Sequence, residues 1–257
     1  MNPRRITVAY YTLVRKEWVR MTRIWSQTFL PSIVTTTLYY MIFGAFIGSQ
    51  IAPIHGFSYI QFIVPGLVMM AVITNSYSNV VSGFFGMKFQ HNLEEIMVSP
   101  TPNWVVVLGF VSGGVVRGVV VGILVLLTSL FFTHLTVYSF FVLISAAILT
   151  SILFSLAGLL NGIFAKGFDG ISIVPTFVLT PLTYLGGVFY SIDRLPPIWR
   201  AISLGNPIIY MVNAFRYGFL GISDTPLVLS FGILIGLTVV LFMLCLYLFQ
   251  KGIGMRN

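Results

Sequence analysis

Residues 138-YSFFVLISAAILTSILFSLAGLLNG-162 form an unbroken run with no charged side chain. A helix rises 1.5 Å per residue, so about 20 apolar residues cross the hydrocarbon core of a bilayer. A strand of a membrane barrel needs only about 10 and alternates apolar with polar positions. This run does not alternate, so it reads as a membrane-spanning helix and argues against a barrel. Working outward on the same criterion gives six spans, at about 28–48, 58–81, 104–132, 138–163, 171–191 and 227–250. Composition agrees: the 257 residues are 57% hydrophobic and only 8% charged, against about 25% charged in soluble domains. The expectation is an all-α membrane protein with a single domain over 1–257. It divides into an interfacial helix (1–26), six spans (27–250) and a short tail (251–257).

The net charge of +8 would point to nucleic acid in a soluble protein; here it reads as orientation, and no nucleic-acid partner is expected. With both termini cytoplasmic, Arg4, Arg5, Arg15, Lys16, Arg20, Arg23, Lys88, Lys166, Lys251 and Arg256 lie inside. Arg194, Arg200 and Arg216 lie outside, and Arg117 falls within a span. That asymmetry follows the positive-inside rule. The first span serves as the insertion signal, since no cleavable leader is visible. Cys245, the single cysteine, can make no internal disulfide or metal cluster and reads as packing.

Near the N-terminus, Ile6, Tyr10, Leu13, Val14, Trp18, Met21, Ile24 and Trp25 share one side of a helical wheel, and Arg5, Arg15, Lys16, Arg20 and Arg23 the other. This is an interfacial helix with its cations near anionic head groups, so membrane lipid is a partner. It serves as an anchor, a partner-binding element, or both. Glu17 sits on the apolar side, where Arg20 three residues on can pair with it. From 175 to 217, Pro175, Pro181, Gly186, Gly187, Pro196, Pro197, Asn206 and Pro207 interrupt the chain. Broken backbone survives in a bilayer only under the cover of protein or a water-filled cavity. The expectation is a span followed by short helices that dip back from the outer side, carrying Asp193, Arg194 and Arg216.

All six acids fall outside the expected span cores, and so do His55, His91 and His134. Ion-driven transporters relay through intramembrane carboxylates or histidines, so this chain lacks that fuel supply. It also lacks G-x-x-x-x-G-K-[ST], H-E-x-x-H and G-x-S-x-G, so no nucleotide, metal or serine-hydrolase site is expected on it. Arg117 either snorkels or pairs structurally, or it lines a pathway. Gly114, Gly118 and Gly122, and Gly158 with Gly162, are small-xxx-small ridges for close helix packing.

The stretch 89-FQHNLEEIMVSPTP-102 holds Glu94 and Glu95 side by side. Asn92 followed by Glu95 approximates a capping box, and both glutamates suit the exposed amides of a first turn. Leu93, Ile96 and Met97 give an apolar stripe, and Pro100 and Pro102 end the helix. Capping explains the position of the acids. It does not explain an apolar stripe on a two-turn loop helix, which suits a docking surface including His91.

The pattern 95-EIMVSP-100, joined with 178-VLTPLTYLGGVFYSIDRLPPIWRAISLGNPIIYMVNAFRYG-218, resembles the permease subunits of ABC-2-type exporters. The similarity covers the whole chain and is close to the bacterial YadH-like inner-membrane permeases, themselves similar to drug-resistance and nodulation-factor permeases. His91 and Asn92–Leu93 depart from the Arg and Gly-Thr that many members carry there. The resemblance implies the type-2 exporter fold, with residues 90–99 as the cytoplasmic coupling helix and 176–217 as a re-entrant outer helical hairpin. It implies a homodimer with two copies of a cytosolic ATPase subunit, ATP and Mg being bound by that partner and no cofactor by this chain. It also implies a bacterial inner-membrane location and an amphipathic, lipid-like, glycoconjugate or drug-like substrate. The alternatives are an ion-coupled secondary transporter and a non-transporting membrane scaffold.

Overall fold

The computed structural model describes residues 3–255. Arg256, counted above among the cytoplasmic cations, lies outside the described residues. The described residues are helical, with one isolated bridge between Ile54 and Phe57 and no strand.

Helix α3 (Tyr59–Phe89) is the axle of the bundle. The Ser58 N–H donates to Gln61 Oε1 at 3.0 Å, satisfying one of the free amides of the first turn. The helix then continues past the expected end of its span at 81, because 82-SGFFGMKF-89 contains no breaker. It stops at Gln90, before a left-handed His91 at φ 60°. Around α3 pack α5 (Asn103–Ser129), α6 (Phe140–Phe164) and α10 (Pro207–Leu220), with α11 (Leu227–Lys251) outside α6 and α10. Helix α1 (Pro3–Arg23) lies along α5, and α2 (Trp25–Tyr39) turns off it at Ile24.

Glycines let these helices approach. At Gly158 an added Cβ would come within 2.5 Å of the Tyr77 carbonyl oxygen in α3. At Gly114 and Gly118 it would strike Ser155 and Ser76, and at Gly122 it would lie 2.7 Å from Val72. A second, unforeseen pair, Gly109 and Gly113, faces the other way and seats Leu13 and Glu17 of α1, each 2.7 Å from such a Cβ.

Among the described residues, four helices are long and apolar enough to cross a membrane: α3, α5, α6 and α11. The other two expected spans are interrupted. After Tyr39 the chain continues in π winding over Tyr40–Phe46, with Ile47 N–H bonded to the Ile42 carbonyl at 2.9 Å. The fifth expected span is α7 (Phe168–Val174), a π turn over Pro175–Leu179, and α8 (Thr180–Tyr184). Pro175 has no N–H to give, and the Thr180 hydroxyl donates to its carbonyl at 2.9 Å, so the extra residue of the π turn absorbs the defect. The chain leaves the helix at Leu185, short of the expected 191. Two short helices follow, α9 (Pro197–Leu204) and α10, each begun by its proline. Asn206 caps α10 by accepting from Ile208 N–H at 3.0 Å.

Candidate functional site

The chain presents two ends. One carries the loop helix α4 (Asn92–Val98); the other carries turn 54–57, the stretch 185–206 and loop 221–226. At the α4 end, Leu93 is 1% exposed and packs among Phe84, Val106, Phe110 and Phe249. Burying such a side chain is worth roughly 2–3 kcal/mol, which holds a two-turn helix in place. Leu93 is therefore not part of a docking face, contrary to the expected stripe. The exposed side is formed by His91, Asn92, Glu94, Glu95, Met97 and Val98, with Ile96 half-buried. The expected capping box is also absent. His91 occupies the cap position with no side-chain bond, and Asn92 is the first helical residue, its amide donating to Gln90 Oε1 at 3.2 Å. Glu94 lies 3.5 Å from His91 Nδ1, and both glutamates sit in the first turn. Lys88 ties this end together: its ammonium donates to the Ile163 and Ala165 carbonyls at 2.8 and 3.0 Å, closing the C-terminus of α6.

Beside α4, α1 is locked to the bundle by charge. Glu17 is 3% exposed; its Oε2 accepts from Arg20 at 2.5 Å and from Asn79 Nδ2 at 3.3 Å. Arg20 donates further to the Asn79 carbonyl and Oδ1 at 2.7 and 3.0 Å. One turn up α3, Asn75 accepts from Arg117 Nε at 3.3 Å and donates to Ser32 of α2 at 2.9 Å. Two asparagines four residues apart thus join α1, α2, α3 and α5. The cluster 74-TNSYSNVVS-82 in an otherwise apolar run was its only sequence signal. Lys16 points along α1 to Met87 and the Phe110 ring, and burial pushes its ammonium below its usual pKa. Arg15 and Arg23 are exposed. Glu17 lies in α1, outside the expected spans, and pairs with Arg20 as its place on the apolar side required; it is buried because that side of α1 meets a polar stripe on α3.

Above this junction a concavity of about 200 Å³ runs between α2 and α3, lined by Ser32, Thr35, Thr36, Met70, Thr74 and Asn75. The hydroxyls of Thr180 and Thr183 border a smaller pocket on the other flank of Thr74. At its far end the groove is closed by rings. Tyr39 and Tyr184 share a hydrogen bond of 2.8 Å, and Phe189 stacks on Tyr184 at 5.8 Å between centroids.

At the opposite end Arg216 is 1% exposed, so it is not the solvent-facing outer cation its position implied. It donates to the Gly187 carbonyl at 2.6 Å, to Asn213 Oδ1 at 3.1 Å and to the Phe62 carbonyl at 3.4 Å, and lies over the Phe62 ring. Asn206 donates to the Leu182 carbonyl at 2.6 Å. Gly186 packs against Ile208, and Gly187 turns the chain at φ 70°. Pro181 opens α8, Pro196 precedes α9 and Pro207 opens α10. Asp193 pairs with Arg200 at 3.2 Å, and Arg194 donates to the Pro53 carbonyl at 3.3 Å.

The chain thus has an exposed loop helix at one end and a proline-broken hairpin at the other, with a concavity between α2 and α3 in the stretch that separates them. Residues 8–220 match the ABC-2 type transporter family, and the chain belongs to that family. It is 58% identical over 250 residues to the inner membrane transport permease YadH of Escherichia coli (strain K12), covering 97% of this chain and 98% of that protein. It is 23% identical over 241 residues to nodulation protein J of Rhizobium leguminosarum bv. viciae, covering 91% and 92%. Nodulation protein J of Rhizobium meliloti (strain 1021) is 24% identical over 218 residues.

Proposed function

We propose that this chain is the permease half of an ATP-driven exporter in the bacterial inner membrane. Two copies form a twelve-span core with both termini cytoplasmic, and two cytosolic ATPase subunits, which bind ATP and Mg, dock beneath. The observation that carries this reading is α4: Leu93 fixes it to the bundle while Glu94, Glu95, Met97 and Val98 face outward. A cytosolic motor that grips this face moves α3 and, through Glu17 and Arg20, α1. The two interrupted helices, 25–46 and 168–184, complete six spans, and π turns at both mark where they yield. Between them the concavity, which sets the hydroxyls of Ser32, Thr35 and Thr74 among apolar Leu67, Met70 and Ala71, provides part of a path for an amphipathic, lipid-like, glycoconjugate or drug-like substrate.

The test is Glu95→Arg in the complex reconstituted with its ATPase in vesicles. Charge reversal on an exposed face is expected to abolish permease-dependent stimulation of ATP hydrolysis while the chain inserts normally. Unchanged stimulation returns Glu95 to a capping role and sinks the docking assignment. The one observation favouring an ion-coupled transporter is the buried Glu17, whose Oε1 has no hydrogen-bond partner. Its other oxygen is held by Arg20 and Asn79 within the α1–α3 contact, which is the arrangement of a structural tie between helices rather than of a relay. Uptake or efflux by the chain alone, driven by a proton or sodium gradient, would establish that alternative.

A further inference from the structure

Three segments far apart in sequence converge at the hairpin end. His55 sits in a tight turn closed by paired Ile54 and Phe57 backbones at 2.9 and 3.0 Å, with φ 50°. Asp193 lies in the 3₁₀ turn Ile192–Arg194, and Asp224 in the loop between α10 and α11. One ligand atom from each lies within 4.8 Å of the other two. No short spacing such as H-E-x-x-H covers this set, because 138 and 31 positions separate its members (193 − 55 and 224 − 193).

Asp224 is the built part. Its side chain is 4% exposed, and its Oδ2 accepts from the Ser191 hydroxyl and the Ile192 N–H, both at 2.9 Å. Those donors fix the carboxylate and aim Oδ1 at the cluster. Oδ1 is 3.8 Å from His55 Nε2, beyond hydrogen-bond range. Among the described residues no donor is bonded to it. A carboxylate oriented through one oxygen, with the other left free of donors, resembles a metal ligand with its outer support in place.

We propose that His55 Nε2, Asp193 and Asp224 Oδ1 form a binding site for a divalent transition-metal ion of the zinc type. One imidazole and two carboxylates match zinc's donor preferences, with water in the remaining position. Calcium takes six to eight oxygens, and magnesium requires a near-ideal octahedron, which these three residues do not supply. Bonds of about 2.0 Å in a tetrahedron put ligands roughly 3.3 Å apart, so the 3.8 Å pair closes with a small rotation. Arg200 competes for Asp193, but that exposed pair is weak. The bound ion fastens turn 54–57 and the 3₁₀ turn to the loop before α11. The site depends on these side chains alone, not on the transport reading.

The test is a zinc titration of the full-length, tag-free chain in lipid nanodiscs against a micromolar indicator dye, with thermal midpoints read in parallel. One ion per chain is expected, with a raised midpoint. His55→Ala and Asp193→Asn should each weaken binding at least about tenfold and remove the midpoint rise, while zinc-free midpoints stay unchanged. Asp224 stays native because it also holds Ser191 and Ile192. The control His91→Ala/His134→Ala should bind as the parent does. Absence of stoichiometric binding at micromolar zinc, full binding by the His55→Ala/Asp193→Asn double variant, or loss in the control would each overturn the site.

Discussion

Two sheltered arginines, one toward each end of the bundle, are neutralised in opposite ways, whereas Lys88 at the α4 end is held by backbone carbonyls as Arg216 is. At the α4 end, Arg20 meets a carboxylate, Glu17, and the partners that complete the cluster are side-chain and backbone groups of Asn79. At the hairpin end, Arg216 meets no carboxylate within ion-pair distance among the described residues. Two backbone carbonyls, one amide oxygen and an aromatic face surround it. Side chains can change partners by rotating, whereas carbonyls move only with their backbone. The first arrangement is therefore a joint and the second a rivet.

The largest effect should come from removing the rivet. Arg216→Leu strands the Gly187 carbonyl and empties the space over the Phe62 ring, and should cost about 3–5 kcal/mol, lowering the unfolding midpoint by roughly 10 °C. Buried Cys245 provides the readout, since a thiol-reactive dye reaches it only on unfolding. A shift below about 2 °C would show that the guanidinium is not a fastener. Next comes the joint. Glu17→Ala leaves Arg20 partly buried beside an empty space and should cost about 2 kcal/mol. Adding Arg20→Ala should recover part of that loss, giving a coupling of about 1–2 kcal/mol in the double-mutant cycle. Additive effects would mean that α1 is held by Leu13 and Met21 instead. The smallest change is Glu94→Gln, on the exposed face beside His91, expected to stay within about 0.5 kcal/mol in the same dye assay. A larger loss would place α4's acids in the stability of this end, blurring its contrast with the hairpin.

Helical character was legible wherever apolar runs were long and uninterrupted: α11 ends one residue beyond its expected limit. Proline and asparagine marked the starts of α9 and α10 because their backbone chemistry is local. What depended on distant partners was not legible. A helical wheel places Glu17 on the apolar side of α1, but it does not show that Asn79 and Gly113 wait there. Arg216 read as an outer charge because carbonyl ligands leave no trace in sequence. Leu93 and Met97 looked equivalent until the bundle buried one of them. The acidic first turn of α4 was readable, and its cap was not, because a left-handed His91 replaces the side-chain bond that Asn92 promised.

The length of α3 sets a gear ratio. Asn79, where α1 grips it, stands 10 residues from its Phe89 end and 13 from Gly66, where the Val188 backbone presses against it (89 − 79 and 79 − 66). At 1.5 Å per residue these arms are about 15 and 20 Å. A tilt about that pivot would return each ångström of sideways push at the lower tip as about 1.3 Å, in the opposite direction, beneath the hairpin.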